Sequence, residues 1–157
     1  MKIVPSEFSN SAWGCFILAK ELAYKNNQQN VDSDNLFLAL IKQDKLTKKI
    51  LKKNNVNIEE IEKEIMSSLN LKAKMKNKQD DLYIGDTLHK IFLKANDIKK
   101  ALNDVVISTE HFVYGLTYDN KYGFQILNQK SIPEFLETIK KMKSDPAVKN
   151  DFDTSNE

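Results

Sequence analysis

Arginine is absent from this chain: all 24 basic residues are lysines. Guanidinium groups carry most bidentate recognition of phosphates and bases. Their absence, with a net charge of only +2, counts against a nucleic-acid partner. Glycine (4) and proline (3) are also scarce, which leaves little turn chemistry for a many-stranded β fold, so helix is the expected element. The one cysteine, Cys15, cannot form an intrachain disulfide, which fits a reducing compartment such as the cytoplasm. It lies in an apolar helical run, where a small buried thiol is a simpler reading than a nucleophile. No long apolar run is present, and the opening MKIVPSEFSN leads to the expectation of neither a signal peptide nor a membrane span.

Several chemistries are missing with equal clarity. There is no G-x-x-x-x-G-K-[ST] loop, so ATP hydrolysis by that route is not expected, and neither G-x-G-x-x-G nor G-x-S-x-G occurs. The two histidines, His89 and His111, are far apart, with no H-E-x-x-H or C-x-x-C spacing to build a metal centre. No metal and no cofactor is expected. What the 157 residues do contain is ordinary for a globular domain, 41% hydrophobic and 29% charged, enough chain to bury a core.

The informative feature is an internal duplication. Displaced by 76 positions, the sequence lies on itself without a gap for about fifty residues. Phe8 falls on Ile84, Phe16 on Phe92, Ala19 on Ala95 and Leu22 on Ile98. Further on, Val31 meets Ile107, Leu36 meets Phe112, Leu40 meets Leu116 and Val56 meets Ile132. Two copies, about 8–69 and 84–143, are too few for an open solenoid. They are expected to pack as one pseudo-twofold globule.

Each copy reads as four helices. Ala12, Cys15, Phe16, Ala19, Leu22 and Ala23 form one apolar stripe at helical spacing. After the polar run 26–30, Ser33 is expected to cap a short second helix carrying Leu36, Phe37 and Leu40. A third helix carries Leu46, Ile50 and Leu51, and Asn57 is expected to cap a fourth with Ile61, Ile65 and Leu69 inward. The second copy repeats this over 88–101, 109–116, 122–128 and 133–142, with Thr109 as the candidate cap of its second helix. Residues 70–83, with Lys72, Lys74, Lys76 and Lys78, read as a solvated linker, and 144–157 as a polar, disordered tail. The fold class is all-α: two pseudo-symmetric four-helix repeats in one domain spanning 1–143.

Asp104 and Glu110 are the one carboxylate pair that invites an acid–base reading. Fixing a loop and favouring a helix start explain both acids without catalysis. No enzyme is expected, and aromatic and aliphatic side chains on duplicated helices argue for a binding module.

At this point the duplication resembles a known family, the N-terminal repeat domain of Clp unfoldases. The resemblance rests on FSNSAW at 8–13, similar to the family's F-T-x-x-A-W opening, and on VDSDNLFLAL at 31–40 and ISTEHFVYGL at 107–116. The latter two are similar to its I-x-T-E-H-L-L-L-A-L phrase, once per repeat. LTKKILKKNNVNIEEI at 46–61 and LYIGDTLHKIFLKA at 82–95 extend the likeness, the second toward the ClpB-type disaggregases. The resemblance implies a non-catalytic, cytoplasmic domain that captures unfolded or aggregated polypeptide for AAA+ modules arranged as a hexamer. It implies no membrane or nucleic-acid partner. A free-standing accessory protein of a Clp ATPase, ClpC-type included, is the alternative. By resemblance the polar substrate-binding positions fall on Ser9, Asp104 and Glu110, and an apolar groove on Phe92, Ile98 and His111. Asp34-Asn35 departs from the Glu-His of the family in the first copy.

Overall fold

Cap signals and apolar stripes recur at a fixed offset in the sequence, and the helices recur with them. A computed structural model describes residues 2–156. The first repeat contains α1 (Asn10–Lys25), α2 (Ser33–Gln43), α3 (Lys45–Lys53) and α4 (Ile58–Leu71). The second contains α5 (Asp86–Ala101), α6 (Thr109–Leu116), α7 (Gly123–Leu127) and α8 (Ile132–Ser144). Both ends of α5 lie 76 positions beyond those of α1, and the start of α6 lies 76 beyond that of α2. Even the chain reversals match: Asn27 and Asn103, again 76 apart, take left-handed φ angles of 53° and 58°. Asparagine tolerates that conformation better than most residues, so it ends α1 and α5 in both copies.

The caps of α2 and α6 sit one residue earlier than the sequence suggested. Asp32 and Ser108, not Ser33 and Thr109, cap these helices, each within a reciprocal capping box. Asn35 Oδ1 accepts the Asp32 N–H at 2.9 Å, and His111 Nδ1 accepts the Ser108 N–H at 2.8 Å. A string with two adjacent cap-forming residues is ambiguous locally, and the partner at the third helical position decides it. Asn57 does cap α4, accepting the Glu60 N–H at 3.1 Å.

The repeats exchange strands. Asn30–Val31 (β1) pairs in parallel with Tyr83–Ile84 (β2), and Phe8 forms the related parallel bridge to Ile107. Phe8 precedes Ile84, and Val31 precedes Ile107, by 76 positions, so the lead-in of each copy pairs with the inter-helix loop of the other. The core is correspondingly shared. Phe92 stacks on Phe112 at 5.5 Å between ring centroids, while Phe8 and Phe16 from the first repeat approach Phe92 at 5.8 and 5.3 Å. Tilted and edge-on aromatic contacts of this kind add to the gain from burial.

The described part of the tail departs from the expected disorder. It forms a 3-10 turn at Lys149–Asp151, packs Val148 and Phe152 on the core, and accepts the Asn10 N–H at Ser155 O, 2.8 Å away. Partners such as Asn10 lie at the other end of the chain, beyond the reach of any local pattern.

Candidate functional site

The heads of α1 and α6 lie side by side because Phe8 is bridged to Ile107. Ser9 caps α1: its side chain accepts the Ala12 N–H at 3.2 Å, and its own N–H donates to Ile107 O at 2.8 Å. It is fully buried, so its hydroxyl secures the helix rather than facing solvent. After the left-handed Asn103, the loop presents Asp104 and then Val105, which is 85% exposed, before Ile107 turns inward.

Asp104, Glu110 and His111 come together, joined by Lys143 from α8. His111 Nε2 lies 2.7 Å from Asp104 Oδ2, and Lys143 Nζ lies 3.3 Å from Asp104 and 3.5 Å from Glu110. Because His111 Nδ1 accepts the Ser108 N–H, the ring proton must reside on Nε2 and be donated to Asp104. Burial, opposed by Asp104, holds the imidazole pKa below its ordinary value, and this neutral tautomer follows. Glu110 is only 3% exposed, and burial, offset in part by Lys143, pushes its carboxyl up to about 7. Its Oε1 has no hydrogen-bond partner among the described residues. These groups line a cavity of about 550 Å3 that also includes Val105, Val106 and Phe152. They do not converge as metal ligands, since Lys143 stands between the acids and a backbone N–H occupies His111 Nδ1.

Phe92 and Ile98 lie elsewhere. Phe92 is fully buried at the centre of the aromatic cluster, and Ile98 is 6% exposed on the inner face of α5. Neither lines an open groove in this conformation; the periodicity that marks a helical face cannot tell a groove wall from an interior contact. The accessible apolar surface at the site belongs instead to Val105, which sequence reading passed over because a lone loop valine has no period. Lys143 was missed too, being 33 residues from Glu110 along the chain.

The first repeat builds a different site at the related position. Asp34 accepts a hydrogen bond from the Tyr122 hydroxyl and is flanked by Lys72 at 3.0 Å and Lys121 at 3.5 Å. Burial alone would raise its pKa, but Tyr122 and the two lysines together hold the carboxyl below its ordinary value. A cavity of about 480 Å3 opens beside it, with Leu93 and Tyr118 on one side. The thiol of Cys15, buried and near Asp44, is pushed up to about 12 and holds no thiolate at neutral pH.

The profile of the Clp repeat (R) N-terminal domain matches residues 7–130. The chaperone protein ClpB of Gloeobacter violaceus is 31% identical over 131 residues, covering 83% of this chain and 15% of that protein. ClpB of Prochlorococcus marinus is 29% identical over 137 residues, covering 87% of this chain and 16% of its own length. The chain therefore spans about one-sixth of the length of the curated relatives it matches. Among solved structures, the Hsp104 N-terminal domain of Candida albicans superposes with a TM-score of 0.74 at 18% identity, covering 88% of this chain and 93% of that one. The N-domain of ClpV from Vibrio cholerae reaches 0.75 at 10% identity, covering 94% of each chain, a likeness of fold. With duplicated helices, exchanged lead-ins and a profile match over most of its length, the chain belongs to the Clp repeat N-terminal domain family.

Proposed function

We propose that this domain captures unfolded or aggregated polypeptide for a ClpB-type AAA+ chaperone, at the cavity beside the head of α6. The observation that carries the reading is a single juxtaposition. Val105, 85% exposed, lines one cavity with the buried Val106 and with the charged set Asp104, Lys143 and the half-satisfied Glu110. Such a surface suits an extended segment that offers an apolar side chain to the valines and a donor to Glu110. Covering a valine contributes about 1–2 kcal/mol, so a few contacts give weak, reversible binding. Weak binding suits a module that hands its cargo on.

In this reading Asp104 faces the client, Glu110 lines the floor of the cavity, and His111, bonded at both ring nitrogens, positions Asp104 from behind. Ser9 holds the head of α1 in place, and Phe92 and Ile98 support the loop from within. ATP-driven work belongs to AAA+ modules, arranged as a hexamer in the cytoplasm. The test is a titration of this chain with a reduced, carboxymethylated model protein, followed by amide chemical shifts. Affinity in the micromolar-to-millimolar range is expected, with shifts concentrated at Val105, Val106 and Glu110. The absence of binding at low salt would sink the proposal.

A further inference from the structure

The two junctions between the repeats are related by the duplication, yet they are closed differently. At one, Thr87 in the first turn of α5 accepts the Ser33 N–H at the head of α2, 2.9 Å away, so the helices meet directly. At the other, Ser11, the counterpart of Thr87, bonds to the tail. Asp153 Oδ2 accepts the Ser11 N–H at 3.0 Å and the Ser11 hydroxyl at 2.7 Å. The Asp153 carbonyl accepts the hydroxyl of Ser108, the cap of α6, at 2.8 Å. The tail thus links two helix heads that at the related junction bond to each other directly, beside a cavity left open.

The contact is chemically matched along its length. First-turn amides of a helix lack intrahelical acceptors and lie at the positive end of its dipole, so a carboxylate is the complementary group. Two residues beyond Asp153, Ser155 O accepts the Asn10 N–H, and the Asn156 amide donates to the carbonyls of Ser6 and Phe8. One residue before it, the Phe152 ring lies 5.5 Å from the Lys143 ammonium and forms one wall of the cavity at Glu110. Asp151 pairs with Lys49 of α3. Backbone and side-chain contacts alternate along the segment, which turns at Asp153, whose Oδ1 accepts the Ser155 N–H at 2.9 Å, and this is how a bound peptide is held. An independent sign of ligand capacity is Glu110 itself, 3% exposed, lining this cavity with Oε1 unpartnered among the described residues.

We infer that the junction between the heads of α1 and α6 is a binding site for short peptide segments carrying an aromatic residue followed by an acid, and that residues 151–156 of the chain occupy it in cis. A client entering the Glu110 cavity must displace Phe152 and Asp153, a step that rests on the capture function proposed above. A short tether holds its segment at an effective concentration on the order of millimolar, enough to exclude weak ligands. A site nine-tenths covered in this way weakens apparent client affinity about tenfold.

The test uses the full 157-residue chain with Phe152→Ala and Asp153→Ala, which opens the junction without touching the repeats. In its first arm a synthetic peptide of residues 148–156 is titrated into this variant. It is expected to shift the amide resonances of Ser11, Ser108 and Glu110, and a peptide with alanine in place of its aspartate at 153 is expected not to. Failure of the unaltered peptide to move them overturns the inference, whatever the client does. In the second arm the unfolded model protein is expected to bind the variant about tenfold more tightly than the parent chain, with the peptide competing. Equal affinity for both chains refutes displacement. If the peptide binds but neither chain holds the client, the peptide site stands and the capture function falls.

Discussion

Glu110 and His111 are adjacent, buried and both perturbed, but their perturbations act on stability in opposite directions. Glu110, with a carboxyl raised from 4.5 to about 7, stays protonated in the folded state while the unfolded chain ionises. Between those values the folded state binds more protons, so this group makes stability fall as pH rises, by about 3 kcal/mol in total. His111, held neutral, binds fewer protons when folded and makes stability rise with pH in an overlapping window. A single melting profile therefore blurs the two. The difference between the parent chain and Glu110→Gln isolates Glu110, because His111, Asp104 and Lys143 are common to both. Urea unfolding at steps from pH 5 to 7.5 is expected to show the parent losing stability relative to the variant. A difference that stays constant across the range would mean Glu110 titrates as an ordinary carboxylate. At this scale the sequence was informative only about neighbours. The short spacing of Asp104 and Glu110 and the cap-like ISTEH string were visible, whereas Lys143 and Tyr122, which bond or pair with the carboxylates of the two sites, come from distant parts of the chain.

At the scale of elements, the duplication predicted most of the fold because the apolar register of a helix is set by its buried face. What the repeat does not specify is how the two copies differ in packing. Gly115 of α6 sits so close to α5 that an added Cβ would meet Ile91 O at 2.7 Å and Ile91 Cγ2 at 3.0 Å. The related positions in the first repeat are Ala39 and Cys15, a larger residue paired with a smaller one. The helix pair has thus kept its contact while exchanging volume across it, which no single-residue propensity reveals. Gly115→Ala should gain about 1 kcal/mol of helix propensity yet lose more through the backbone clash, a net destabilisation of about 1–2 kcal/mol. A lower urea midpoint with an unchanged slope would bear this out; a raised midpoint would mean that α5 and α6 can separate at little cost. The cap positions show the same limit of local reading. Asp32 and Ser108 prevail over Ser33 and Thr109 because Asn35 and His111 return a hydrogen bond to them, a pairing that exists only once the turn has formed.

Across the whole molecule, the exchange of lead-ins makes neither repeat a complete unit. Phe8 belongs to the first copy by sequence, but its bridge partner is Ile107, and its ring lies 6.0 Å from Phe112 of the second. Val31 and Ile84 repeat the dependence in the other direction. A single four-helix repeat would leave half of the shared aromatic cluster facing water, and a chain of its size is close to the lower limit for a stable single core. The tail adds a third strand of dependence, tying Ser11 of the first copy to Ser108 of the second through Asp153. Its polar composition pointed to disorder because the donors that order it are remote in sequence, Ser11 142 residues away at the head of α1 and Ser108 45 residues away at the head of α6. Fragments 1–78 and 79–157, produced separately, are accordingly expected to show little helical circular dichroism and no cooperative melt. Mixed at equal concentration, they should regain the spectrum of the intact chain and a single transition, with Trp13 fluorescence and ellipticity changing together. A cooperative melt of either fragment alone would show that one repeat is a folding unit, and that the exchanged lead-ins join two finished modules rather than complete one another.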